Sequence, residues 1–132
     1  MVWKRADAAA AIVPILEAID TTTLIGALVS VFAAPPETFN PPAYIIGYPA
    51  QVNYDGATFG IDEALLPVYA AGGMSEVDRI DALLEAAKVA IAGAPLPSAL
   101  QLLRVMQQTN WRPLKVGGSD LLAADLTLEI RM

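Results

Sequence analysis

Hydrophobic and polar positions follow two different periods along the chain, and each period marks its own element. From Leu122 to Arg131 the alternation is strict: Leu122, Ala124, Leu126, Leu128 and Ile130 against Ala123, Asp125, Thr127, Glu129 and Arg131. That period of two predicts a strand with one buried face. Gly117-Gly118 precedes it and predicts a hairpin turn, pairing the strand with Trp111–Val116. Helical spacing governs an earlier stretch, where Val77, Ile80, Leu84, Ala87 and Ile91 form one stripe. Asp78, Asp81, Glu85 and Lys88 form the opposite one, as on an amphipathic surface helix. Ser75 is its candidate N-cap with Asp78 as capping-box partner, and Gly93, Pro95 and Pro97 end it.

A second helix is predicted over 6–19, where Ile12, Leu16 and Ile19 recur at helical spacing. Pro14 either kinks it or sits in the first turn of a shorter helix, the kink being preferred. Thr21-Thr22-Thr23 should end that element, because successive β-branched residues resist helix. Leu28–Phe32 has strand composition, and the four prolines within 35–42 make a stiff irregular loop. Strand-like stretches follow at 43–53 and 61–71, with Pro49 and Pro67 pointing to edge positions or bulges. Residues 98–110 read equally as a helix opened by Ser98 and Gln101 or as a strand from Leu102. This order predicts an α+β fold: an antiparallel or mixed sheet packed against two α-helices, one domain over residues 1–132.

Composition changes the picture in one respect. A hydrophobic fraction of 55% in 132 residues exceeds what a small monomer readily hides, even with much of it alanine. The surplus points to a subunit interface, although a well-filled core is nearly as good an account. Eight basic against 14 acidic residues leave a net charge of −6, and the basic residues form no run. Affinity for nucleic acid rests on Lys and Arg neutralising phosphates, so a DNA-binding module is disfavoured. Lys4-Arg5 before the apolar run Ala8–Leu16 has the look of a signal peptide, but Asp7, Glu17 and Asp20 interrupt it. Leu24–Ala34 is too short to span a bilayer, so both runs read as core elements of a cytosolic protein.

Chemistry finds little foothold. The chain contains neither Cys nor His, which removes thiolate nucleophiles, disulfides, Cys/His zinc sites and imidazole catalysis. Asp62-Glu63 are adjacent on a predicted strand and point to opposite faces, so they do not converge. Asp78, Asp81 and Glu85 share a helix face, but with Lys88 in the same stripe a solvated surface is the better reading than a metal site. Ser30, Ser75, Ser98 and Ser119 lack a base and a nucleophile elbow, and no phosphate-binding glycine loop is present. No catalytic residue, metal ligand or cofactor is assigned, and an enzyme is not expected. Trp3, Trp111 and the tyrosines read mainly as core, while Tyr54 and Phe59 flank a loop that needs no large side chains to turn. They are candidate interface anchors, with Asp55 and Asp62 beside them.

One wider pattern spans residues 35 to 131. It runs from Asn40-Pro41-Pro42, through Tyr54-Asp55-Gly56, Phe59-Gly60 and Asp62-Glu63-Ala64, to Pro67-Val68. It continues through Asp78-Arg79, Asp81-Ala82-Leu83 and Gly117-Gly118 to Leu126-Thr127-Leu128-Glu129-Ile130. In that order it resembles the tail terminator proteins of siphophages that infect actinobacteria. The resemblance implies a virion subunit assembled in the host cytoplasm, forming a hexameric ring on the head-proximal end of the tail tube. Implied partners are the major tail protein and the head-completion proteins, with DNA passing through the lumen unbound and no membrane involved. At −6 per chain, six copies carry −36, and carboxylates facing the lumen would let the duplex slide. The nearest alternative is another neck component, a head-completion or adaptor protein. A small ligand-binding domain or enzyme is the alternative of a different class.

Overall fold

The computed structural model describes residues 4–49, 51–55, 61–116 and 118–132. Two helices, a short helical turn and six strands follow in the order α1 (Arg5–Glu17), α2 (Thr21–Ile25), β1 (Ser30–Phe32), β2 (Ala43–Ile46), β3 (Gln51–Asp55), β4 (Ile61–Gly73), α3 (Val77–Gly93), β5 (Leu102–Val116) and β6 (Ser119–Arg131). The strands form one mixed sheet in the order β1-β2-β4-β6-β5, with β3 also on β4. Among the described residues β1 and β2 run parallel and the other pairings are antiparallel. The architecture is the expected α+β arrangement, with α1 and α3 covering one face of the sheet.

That covered face holds the main core. Ile12 and Leu16 of α1 and Ile80, Leu83, Leu84, Ala87 and Ile91 of α3 are buried with Tyr44, Ile46, Leu66, Val68, Leu126, Leu128 and Ile130 from the sheet. Each fully buried aliphatic side chain contributes about 1.5–3 kcal/mol relative to exposure. Val77, assigned by its spacing to the buried stripe, is instead exposed at the first turn of α3. The cap also differs from the expected one: Glu76, not Ser75, is the N-cap, and its side chain makes no capping hydrogen bond. Its backbone amide bonds Gly73 O at 3.0 Å, so β4 leads into the helix through a tight backbone turn.

Helix α1 continues through Pro14, with Ala18 N bonded to Pro14 O. Pro14 is exposed, so the hydrogen bond it cannot make is missing on the solvent side. The threonine run does not simply end a helix. It opens a new one, because Asp20 accepts hydrogen bonds from both Thr23 N and Thr23 Oγ1, and Gly26 closes the turn at φ 72°. Those two bonds, the side-chain bond first, hold the Asp20 carboxyl below its ordinary pKa. Local capping outweighs β-branched reluctance here.

The stretch expected as one strand over 43–53 is two strands laid end to end along β4. β2 pairs with residues 68–71 and β3 with residues 61–65. The break falls opposite Pro67, which is central rather than at an edge: β6 flanks it on the other side. Pro67 O accepts from Gly47 N at 2.9 Å, so the missing amide hydrogen of Pro67 faces the same gap. Beyond Gly47 the neighbouring strand has no donor to meet, and it leaves the ladder. Gly47 itself is required by proximity, since a Cβ there would lie 2.6 Å from Tyr69 Cε2 and 2.9 Å from Pro67 Cγ.

Residues left open at 98–110 resolve as strand from Leu102 onward. The hairpin closes as its glycines predict, with Val116 paired to Ser119 and Gly118 at φ 82°. The ladder is irregular between Val105 and Thr109, and that irregularity has a chemical consequence described below.

Candidate interaction surfaces

The sheet face turned away from the helices is neither bare nor simply solvated. Asp125 and Glu129, expected on an exposed strand face, are both buried, 7% and 5% exposed. Arginines cover them. Glu129 bonds Arg104 and, at 3.3 Å, Arg131, which in turn reaches Glu63 at 3.1 Å. Asp125 accepts from Asn110 N at 3.2 Å and lies 3.9 Å from Arg112. Arg112 also donates to Tyr69 Oη and sits 4.8 Å over that ring. A row of ion pairs thus crosses β4, β6 and β5.

The β5 irregularity sets which charges meet. An uninterrupted ladder from the Val116–Ser119 pair would place Arg104 opposite Arg131, two like charges. The shift between Val105 and Thr109 moves Arg104 opposite Glu129 and keeps every residue on its own face. The same irregularity, with Pro113 further along, blunts the outer edge of β5. Asn110 directs its amide to β6, and alternation then turns Pro113 outward, where a strand partner would need a donor. Assembly through this edge by strand addition is therefore disfavoured.

Towards β1 and β2 the same face carries a second, smaller apolar cluster of Ala43, Ile45, Ala71 and Ala123, packed against Phe32, Phe39, Tyr69 and Leu114. The proline-rich connection over 33–42 lies on this cluster, its Phe39 ring 5.9 Å from Phe32. Beside it runs a groove of about 430 Å³, with Phe39, Ile45 and Leu114 as apolar lining and Arg112, Lys115 and Glu37 as charged lining. A second, largely apolar depression of about 420 Å³ lies between α1 and α3, lined by Pro14, Ile15, Ala18, Ile19, Ala90 and Ala94.

Arg5 ties the start of α1 to the sheet. Its guanidinium donates to Gly47 O at 3.0 Å, Ile46 O at 2.7 Å and Ala33 O at 2.7 Å, and it lies 5.0 Å from the Tyr48 ring. Three carbonyls that the sheet cannot satisfy are gathered by one side chain. Arg5→Ala is expected to lower the thermal midpoint by several degrees, from a loss of about 2–3 kcal/mol of charge-assisted bonding. Arg5→Lys should recover only part of it, since an ammonium does not reproduce the planar fork. Calorimetry of the three proteins checks this.

Of the residues singled out from sequence, Tyr54 and Asp55 close β3, and Tyr54 is paired in register with Asp62 of β4. The side chains of Tyr54, Asp55 and Asp62, and Phe59 altogether, lie outside the described residues, as does Trp3. Trp111 is 41% exposed on β5, and Tyr44 is wholly buried. Asp78, Asp81, Glu85 and Lys88 are all exposed. Among the described residues no three potential metal ligands come together, and no helix is long and apolar enough to cross a membrane. Tyr69, expected with the other tyrosines mainly as core, lines the groove, and Arg112 and Lys115 beside it carry no expectation from sequence; the available signal is the hairpin register, which sets Arg112 beside Ala123.

Fold and surfaces together define a single-domain α+β protein whose described residues form two apolar depressions and a row of ion pairs on the sheet. No family model matches the sequence, and no curated protein matches it. Among solved structures, a chain of the virion of a native gene transfer agent particle is similar at a TM-score of 0.69. The two share 22% sequence identity over 93% of this chain and 92% of that one. At that identity the likeness is one of fold.

Proposed function

We propose that this chain is a structural subunit of a phage-like particle, and specifically its tail terminator. In this reading it caps the head-proximal end of the tail tube as a ring, six-membered by the terminator resemblance, and ends tube polymerisation. Its far side receives the head-completion proteins, and DNA crosses the lumen without specific binding. The observation that supports the reading is the near-complete overlap with a virion chain, 93% of one and 92% of the other. The terminator-like order of motifs between residues 35 and 131 supports the finer placement. The charge supports a lumen that does not hold DNA, because −6 per chain disfavours phosphate contacts.

Labelling of intact particles and isolated tails with an antibody to this chain, imaged by electron microscopy, tests the proposal. The expected signal is confined to the head-proximal tip and persists on tails that never joined a head. Signal that stays with heads and is missing from free tails would move the protein to the head-completion side. No particle signal would refute a structural role.

A further inference from the structure

The apolar depression on the helix layer is bounded by the ends of two helices. Ala18 and Ala94, the C-cap residues of α1 and α3, line it together with Ile15, Ile19 and Ala90. Neither helix carries a basic residue in its last turn, so both bring the negative ends of their dipoles to this spot. Glu17 and Asp20, the chain neighbours of Ala18 and Ile19, are exposed and add two carboxylates. The complement to such a surface is apolar at its centre and cationic beside it. The outer strand of the same fold presents one. Trp111 of β5 is 41% exposed, and Pro113 and Lys115 follow it on the same side of the strand. That side is the helix side, because Trp111 is paired with Ala124 of the main core. Lys115 is exposed and makes no ion pair among the described residues, although Asp120 stands opposite it in register. Trp111 cannot fill the depression of its own chain. Its cross-strand row runs through Ala124 to Ala70, and α3 starts near that row, with Ile80 against Gly72. At 1.5 Å per helical residue, Ala90 and Ala94 lie about 15 and 21 Å further along, beyond a side chain fixed in the sheet.

We propose that β5 of one copy docks on the helix layer of a second copy, Trp111 entering the depression between α1 and α3 and Lys115 facing the helix ends and carboxylates beside it. Apolar contact supplies most of the affinity, and the lysine sets the orientation. Arg112 projects to the other face, where Tyr69 and Asp125 hold it, and takes no part. The two surfaces are unlike, so the contact repeats head to tail and closes into a ring when the rotation between copies permits. It rests on the ring assembly proposed above and names the surfaces that would make it. The blunted outer edge of β5 fits this mode, because it leaves side-chain docking rather than strand addition as the route to a partner.

The native chain has no cysteine, which makes site-directed crosslinking clean. Thr109→Cys alters an exposed position beside Trp111, and Pro14→Cys an exposed position at the rim of the depression. The double variant, concentrated and treated with a short bismaleimide, is expected to give a ladder of covalent oligomers ending at the ring. A mixture of the two single variants should stop at dimers. Trp111→Ala should weaken self-association about tenfold or more, and Ala18→Arg, at an exposed helix end, should do the same from the other surface. Oligomers that form normally but give no crosslink, with both substitutions silent, would overturn the docking and leave a ring of other geometry. A double variant that stays monomeric and uncrosslinked, both alone and on isolated tails, would likewise overturn it. Labelling of particles does not depend on self-association and judges the terminator reading separately.

Discussion

Replacing Tyr44 with alanine is expected to lower the unfolding free energy by about 3–5 kcal/mol, the cost of emptying a large buried aromatic site. A domain of this size holds only about 5–15 kcal/mol in total, so the variant should be barely folded at ambient temperature. Tyr44 is fully buried in β2, beneath α3, and its hydroxyl donates to Leu83 O of that helix at 2.5 Å. It therefore joins the layers twice, by area and by one polar bond. Tyr44→Phe separates the two: it should cost only about 1 kcal/mol, because the helix carbonyl that loses the hydroxyl is a backbone acceptor already served within α3. The hydroxyl also makes stability depend on pH. Burial raises the Tyr44 pKa well above its usual value of 10.0, so the folded state keeps a proton that the unfolded chain releases. The contribution is complete below pH 10 and is lost as the pH rises above it. Denaturant titrations from pH 8 to 11 should show a decline in the native protein that Tyr44→Phe makes shallower. Equal slopes in the two proteins would remove Tyr44 as its source.

Much of this fold is written in periodicity. The alternation of β6 and the stripe of α3 each specify which side faces the core, and the two glycines before β6 specify the hairpin. What periodicity does not carry is the partner across a gap in the ladder. Pro67 announces a missing donor but not its direction, and only the neighbour on that side reveals why β2 and β3 are separate strands. The threonine run shows a similar limit. β-Branched residues disfavour helix by tenths of a kcal/mol each, whereas one cap such as Asp20 is worth about 1 kcal/mol, so a single side chain reverses the sum.

The interaction surfaces were less legible than the fold, for a physical reason. Asp125 and Glu129 occupy positions that alternate away from the core, and a strand with one solvated face reads the same way. Their burial depends on arginines from β5, and one of those reaches its partner only through the irregularity at Val105–Thr109. Nothing in the composition of that stretch fixes the shift. Long arginine side chains laid over a polar face also hide apolar stems under charged ends, so the face gains cover without gaining hydrophobic residues. The groove has the same origin. Its lining combines β2, β4, β5 and a proline-rich connection, segments far apart in the chain.

The ion-pair row makes a strong and asymmetric prediction. Changing Arg104 and Arg131 together to methionine should cost about 3 kcal/mol, because it strands Glu129, only 5% exposed, without its two cations. The lower end of the range for a broken buried pair applies, since both arginines are about half exposed and water reaches their side of the pair. Adding Glu129→Met to that variant should restore most of the loss, because three unbranched apolar side chains can fill the same space without a desolvated charge. Glu129→Met alone should cost little, as its arginines are free to turn to solvent. Urea unfolding of the native protein, the double variant, the triple variant and Glu129→Met measures the four corners needed. If the triple variant is no more stable than the double, the row stabilises by packing of the arginine stems and not by compensating a buried carboxylate. A restored triple variant would instead mean that the sheet does not need these charges to fold.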